Sequence, residues 1–232
     1  MMEKLDILIF GAHADDAEIG MGGTIAKHTA AGLKVGICDL TEAEMSSNGT
    51  VEIRKVEAEA ASEVLGLTLR RNLQLPDRGL YVTTEQVEAV ASVIRDHAPS
   101  IVFAPYWDDR HPDHVQCSKI VEDAVFNAKL RKWMPDKPAV TVDELYFYFI
   151  NDWRTPDLIV DITDVYPIKE KSMQCYVSQF TLAADGVKTV LTQGYVERVK
   201  ARDSLIGQRK RITYAEGFAV KSPYKVHLFD SQ

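Results

Sequence analysis

Short apolar runs alternate with amphipathic segments along the chain. LDILIFGA (5–12), KVGICDLT (34–41), TLRRNLQL (68–75) and SIVFAPYW (100–107) each have the length and β-branched or aromatic content of one strand. Between them lie segments with helical spacing. Small residues and TIAKHTAAG follow the first strand and read as a helix ending at Gly32; VEIRKVEAEAASEVL has Thr50 as its cap and Gly66 as its stop. TEQVEAVASVIRDHA (84–98) begins with Thr83 and Gln86 at capping-box spacing, and Pro112 suits the first turn of a helix over 112–131. TEAEMSSNG (41–49) is a polar loop, PDRG a turn, and the stretch from Trp133 to Val142 a surface connection. ELYFYFI (144–150) and LIVDIT (158–163) predict two more strands, 164–178 and 191–209 predict helices, and a short extended tail is expected near 223–229.

Strand–helix alternation of this kind implies an α/β protein with a mainly parallel sheet and helices on both faces, a Rossmann-like three-layer sandwich. No repeat, low-complexity tract or shift in composition divides the chain, so a single domain is expected over 1–232. In the common doubly wound order 3-2-1-4-5, strands one and four are neighbours, and their C-terminal ends flank the crevice where ligands bind.

Composition narrows the partners. Hydrophobic residues are 46% and charged residues 26% of the chain, an ordinary globular balance. The net charge of -7 disfavours nucleic acid and anionic membrane surfaces, which leaves a small molecule as the expected partner. No run approaches the roughly 18 apolar residues of a membrane span, and MMEKLDILIFGAHADD breaks its apolar run too early for a signal peptide. With no C-x-x-C, Cys38, Cys117 and Cys175 read as reduced, mostly buried thiols of a cytoplasmic protein.

Chemistry concentrates where strands one and four end. GAHADDAEIG (11–20) carries His13, Asp15 and Asp16; DDRHPDH (108–114) carries Arg110, His111, Asp113 and His114. Alone, the first cluster could be a helix cap and the second a proline-started turn. On adjacent strand ends, carboxylates crowded at the rim of a core call for a cation, and imidazole plus carboxylate is a donor set suited to zinc. His13 and Asp16 can face one ion, with His111 or His114 as a third ligand. A dinucleotide-binding oxidoreductase would need G-x-G-x-x-G after strand one, where this chain has G-A-H-A-D-D, and G-M-G-G (20–23) falls inside a helix, where it permits close packing. A catalytically silent metal-binding module would have no need of Asp15.

A-H-A-D-D-A-E (12–18) resembles the A-H-P-D-D-x-E signature of the PIG-L/LmbE-like zinc-dependent N-acetylglucosaminyl deacetylases, and H-P-D-H (111–114) resembles that family's second motif. I-R-K-V-E-A (53–58), L-P-D-R-G-L (75–80), Y-F-I-N (148–151) and Y-A-E-G-F (214–218) are similar to the bacillithiol-biosynthesis branch, which deacetylates N-acetylglucosaminyl-malate. Ala14 departs from the usual proline, which would stiffen the turn but supplies no ligand. The resemblance implies His13, Asp16 and His114 as zinc ligands (Fe2+ being the other metal to consider) and Asp15 as the catalytic carboxylate. It gives His111 and Asp113 supporting catalytic roles and makes Arg54, Arg110 and Tyr195 substrate-binding residues, Tyr195 as an oxyanion donor. An N-acetylglucosaminyl conjugate is the implied substrate and a homo-oligomer, with a hexamer as one form, the implied assembly.

These residues carry a hydrolytic mechanism. Asp15 would take a proton from water and pass it to the leaving amine, while His111, held as an imidazolium by Asp113, would stabilise the oxyanion or act as the acid. His28, His97 and His227 are expected at the surface or as charge complements of helix ends.

Overall fold

A computed structural model describes residues 3–223. Seven strands form one sheet in the order β3-β2-β1-β4-β5-β7-β6. These are β1 (Ile7–Gly11), β2 (Val35–Thr41), β3 (Leu69–Leu75), β4 (Ile101–Pro105), β5 (Glu144–Tyr148), β6 (Leu158–Asp161) and β7 (Ala215–Ala219). Pairing from β3 through β5 is parallel, and β7 runs antiparallel to both β5 and β6. The expected order 3-2-1-4-5 is present, and β1 and β4 lie side by side with Ile7 opposite Ile101.

The period-two alternation of β1 sorts its side chains between two cores. Leu8 and Phe10 pack with residues of α3 (Thr84–His97) and α4 (Pro112–Ala128); Ile7 and Ile9 pack with residues of α1 (Asp16–Ala30) and α7 (Tyr195–Gln208). Helix α2 (Val51–Leu65) and the shorter α5 (Tyr166–Gln174) and α6 (Val177–Phe180) complete the set. All residues of β1 and β2 are buried, as parallel strands covered on both faces must be.

Local signals account for the ends of several helices. Thr50 Oγ1 accepts from the Ile53 N–H, and Gly66 closes α2 in the left-handed region at φ 66°. Thr83 caps α3 through the Gln86 N–H, but the return half of the capping box is absent: the Gln86 amide instead bonds Tyr81 N and Gly79 O. Helix α1 begins at Asp16, and G-M-G-G lies within it as expected. Three expectations change. The predicted helix over 164–178 is divided into a 3-10 turn, α5 and α6, and α7 starts only at Tyr195, after Gly194 at φ 71°. Strand β7 has no counterpart among the predicted elements, because A-E-G-F-A lacks a clear alternation and has Phe218 as its one strand-forming side chain. The tail expected near 223–229, with His227, lies outside the described residues beyond Pro223.

Gly20 shows what the glycines permit. A Cβ there would stand 2.2 Å from Tyr148 Cδ2 and 3.0 Å from Phe149 O. The Tyr148 ring cannot retreat, being fully buried and tied by its hydroxyl to Phe10 O at 2.7 Å. Alanine would gain about 1 kcal/mol in helix propensity, against roughly 1–3 kcal/mol or more for overpacking. Gly20→Ala is therefore expected to destabilise the protein by ~1–2 kcal/mol in urea unfolding; an unchanged or raised midpoint would mean that the ring yields.

Candidate active site

Strand β1 delivers the first cluster through a tight turn. The Asp16 N–H bonds His13 O at 3.3 Å, and Asp15, third in that turn, has φ 113° and ψ -23°. Type II turns put a positive φ at this position and favour proline just before it, at the place of Ala14. Few non-glycine residues tolerate such a φ, although aspartate is among the better ones. Arg54 holds the strained turn, with Nη2 donating to Ala14 O and standing 3.4 Å from Asp15 Oδ2. The second cluster leaves β4 and enters α4, where Pro112 occupies the first turn and His111 is the cap.

The two clusters meet. His114 Nε2 is 3.1 Å from Asp16 Oδ1, and His13 Nδ1 is 3.7 Å from Asp16 Oδ2. His111 stacks on His114 with ring centroids 4.7 Å apart, and nitrogens of His13, His111 and His114 all lie within 4.8 Å of one another. Each of the two imidazoles beside Asp16 is also backed by carboxylate. His114 Nδ1 is 2.9 Å from Asp109 Oδ1; His13 Nε2 is 3.3 Å from Asp77 Oδ1 and 3.5 Å from Asp113 Oδ2.

Charge explains the arrangement. Burial alone would lower the pKa of His114, but Asp16 and Asp109 raise it to about 9. Burial likewise opposes protonation of His13, which hydrogen bonds to Asp113, Asp16 and Asp77 nevertheless lift well above its ordinary value. Against its own burial, Asp16 is held well below the usual carboxylate range, chiefly by the charge of His114. The carboxylates thus retain two ring protons at neutral pH, and a divalent cation could replace both with equal charge. Imidazole nitrogens and a carboxylate oxygen suit zinc or another borderline metal, so His13, Asp16 and His114 fit such an ion.

Asp15 behaves differently. Its side chain is 7% exposed and its pKa is pushed up to about 7, first by burial, with Arg54 opposing and Asp16 reinforcing the rise. His111 moves the other way, to about 4, through burial and then the charges of His114 and His13. Its Nδ1 accepts from the Asp113 N–H at 3.3 Å. This corrects two expectations. His111 is a neutral imidazole rather than an imidazolium, and Asp113 holds it by its backbone, while the Asp113 carboxylate binds Arg78 N and Nη1, each at 3.0 Å.

The clusters open on a cavity of about 310 Å³ whose lining includes Asp15, Arg54, Arg78, Arg110, His111 and Tyr195. Exposed Arg110 reaches Asn151 Oδ1 at 2.9 Å, and the Tyr195 hydroxyl donates to the same atom at 3.0 Å. All the residues singled out in the sequence therefore gather here, except that the Asp113 side chain lies behind His13. Sequence reasoning missed Asp77, Arg78, Asp109 and Asn151. Asp109 accepts from the backbones of His111, Asn151 and Asp152 as well as facing His114. All four stand in segments with a recognisable motif, yet only the fold reveals their partners. Elsewhere, Cys38 and Cys117 are buried and Cys175 is half-buried. His28 is partly buried, its Nδ1 facing Thr24 O; His97 is not at the surface, being 4% exposed with Nδ1 on Glu3 O.

Known proteins share this arrangement of chain. The family model for the PIG-L, GlcNAc-PI de-N-acetylase, proteins matches residues 8–125. A diacetylchitobiose deacetylase of Thermococcus kodakarensis is 32% identical over 186 residues, covering 75% of this chain and 70% of its own. A 1D-myo-inositol 2-acetamido-2-deoxy-alpha-D-glucopyranoside deacetylase of Rhodococcus erythropolis is 25% identical, with 83% of this chain and 87% of its own covered. The crystal structure of a conserved protein from Thermus thermophilus superposes with a TM-score of 0.90 at 38% identity, covering 98% of this chain and 100% of the other.

The raised pKa of Asp15 links stability to pH. Between the ordinary carboxylate range and about 7, the folded protein holds a proton on Asp15 that the unfolded chain has lost, so this group's contribution to stability falls as pH rises. Asp15→Asn should remove that slope. In chemical denaturation of the metal-free protein, the variant is expected to gain ~2 kcal/mol relative to wild type between pH 5 and pH 8. A difference independent of pH would show that Asp15 ionises as freely as in water.

Proposed function

Because the chain belongs to the PIG-L family of GlcNAc-PI de-N-acetylases, we propose that it is a metal-dependent hydrolase that removes the acetyl group from N-acetylglucosaminyl-malate, releasing glucosaminyl-malate and acetate. The observation that carries this reading is the convergence of His13, Asp16 and His114 beside an Asp15 whose pKa lies near 7. His13, Asp16 and His114 hold the ion, for which zinc is the first assignment. When bound, the ion supplies Lewis acidity toward the acetamide carbonyl and toward water.

The remaining steps belong to side chains. Asp15 takes a proton from the attacking water and returns it to the glucosaminyl nitrogen as the C–N bond breaks, a task suited to a group that titrates near neutrality. His111, with Nδ1 engaged by the Asp113 N–H, has its proton on Nε2 and donates it in a hydrogen bond to the oxyanion. Tyr195 becomes a second donor when its hydroxyl leaves Asn151. Arg54 orients Asp15 from the buried side. Arg110 and Arg78, both solvent-exposed, meet the malate carboxylates at the mouth of the cavity, where a planar guanidinium can bind with two bonds.

A second reading keeps the chemistry and changes the aglycone. The Thermococcus relative is named for a chitobiose substrate, so a neutral N-acylglucosaminyl conjugate is the alternative. Acetate release should be followed on N-acetylglucosaminyl-malate, diacetylchitobiose and N-acetylglucosamine, with and without chelator. We expect chelator-sensitive turnover that favours the malate conjugate by at least ~10-fold, from charge-assisted bonds to its carboxylates. Asp15→Asn should lower kcat by roughly 100- to 10,000-fold while binding metal normally. Equal rates on all three compounds would remove the malate assignment, and failure to release acetate from any glucosaminyl conjugate would remove the deacetylase one.

A further inference from the structure

Helix α1 is broken behind the site. Met21 has φ -149° and ψ 23°, outside helical geometry. In a regular helix the Gly23 N–H would bond Ile19 O. Here each is taken by a side chain: Ile19 O accepts from Arg202 Nη2 at 2.8 Å, while Gly23 N and Thr24 N donate to Glu216 at 2.9 and 2.6 Å. The two side chains end a buried charge chain. Arg202 Nε is 3.1 Å from Asp203 Oδ1, and Lys169 Nζ bridges Asp203 Oδ2 and Glu216 Oε1, each at 2.6 Å. Lys169, Asp203 and Glu216 are at most 1% exposed and Arg202 is 9% exposed. Two positive and two negative groups balance, yet packed apolar residues often stabilise such a place as well or better. A geometric role accounts for the network where stability does not.

The guanidinium of Arg202 touches both halves of the site's support. Nη1 donates to Phe149 O at 3.0 Å and Ile150 O at 2.9 Å, just before Asn151. Asn151 in turn donates N and Nδ2 to Asp109 at 2.9 and 3.0 Å, and Asp109 orients His114. On the other side, Ile19 belongs to the first turn of α1, and its N–H bonds Asp15 O at 2.9 Å. We propose that Arg202 is a positioning residue that sets the separation between the α1 turn presenting Asp16 and the β5 exit, whose Asn151 holds Asp109 after β4 and, through it, His114 on α4. This rests on the reading of Asp16 and His114 as metal ligands. Separate nitrogens of one planar fork reach the carbonyls of the two elements, a spacing that a single lysine ammonium cannot span.

The test measures Zn2+ affinity by competition with a chromophoric chelator on the full-length protein, well below the unfolding temperature, with kcat and KM alongside. Arg202→Lys keeps the charge facing Asp203 and loses the fork. Its Kd for Zn2+ should rise about 10-fold, the lower range for loss of support to a metal ligand, and kcat should fall while KM changes little. The double variant Lys169→Met/Glu216→Gln removes one positive and one negative charge and leaves the carbonyl contacts of Arg202 in place, so it should lose stability without losing affinity. Should Arg202→Lys not fold, Arg202→Gln, with one amide for the Phe149 and Ile150 carbonyls, takes its place and should show the same weakening. Wild-type affinity in the Arg202 variant, or equal weakening in the double variant, would overturn the proposal. If wild type binds no Zn2+, or Asp16→Asn binds it unchanged, the metal reading falls and this inference with it.

Discussion

Burying acids at the end of a strand is the constraint from which the rest follows. Asp15, Asp16 and Glu18 are all at most 5% exposed and occupy one turn at the start of α1. The helix N-terminus favours negative charge there, but by too little to offset the desolvation of several carboxylates. Each therefore recruits a cationic side chain from another element: Asp16 meets His114 from α4, Asp15 meets Arg54 from α2, and Glu18 meets Arg70 from β3 at 2.6 Å. The sheet order brings these partners together, and the ion pairs in turn fix how the elements around β1 sit.

That constraint made half of the site legible from sequence. Singly, each polar cluster that follows an apolar run could be a cap or a turn, but adjacent parallel strands bring the two into one crevice, where their combined charge needs another account. The caps at Thr50 and Thr83 and the stop at Gly66 were likewise readable, because each acts within a few residues of itself. Asp77, Asp109, Asn151 and Arg202 were not. Each works through a partner distant in the chain or through a backbone carbonyl, and neither leaves a periodic trace.

Strand β7 failed to announce itself for a related reason. Glu216 is turned inward to receive Lys169 and two N–H groups of α1, while Gly217 lets Pro156 approach, a Cβ there standing 2.5 Å from Pro156 Cγ. A strand whose inner positions serve a charge network and a close contact cannot also alternate apolar with polar residues. The break in α1 hides in the same way. A run of small residues within a helix signals close packing, but nothing local reveals that an arginine and a glutamate from far along the chain complete the missing bonds.

Stability and chemistry pull against each other at Asp15. A left-handed aspartate, desolvated and flanked by Asp16, is a poor choice for folding, since both its backbone and its charge raise the energy of the native state. The same features put its pKa near neutrality, where a carboxylate can accept a proton and give it back. Arg54 moderates the conflict without abolishing it: closer pairing would hold the Asp15 carboxylate ionised to lower pH, and loss of the arginine would raise its pKa further. With Nη2 on Ala14 O and beside Asp15, Arg54 supports the turn as well as the charge, whereas its Nε and Nη1 are buried without hydrogen-bond partners. The guanidinium carbon stands 5.5 Å from the centre of the Tyr176 ring, so an aromatic face lies beside the arginine where hydrogen-bond acceptors do not.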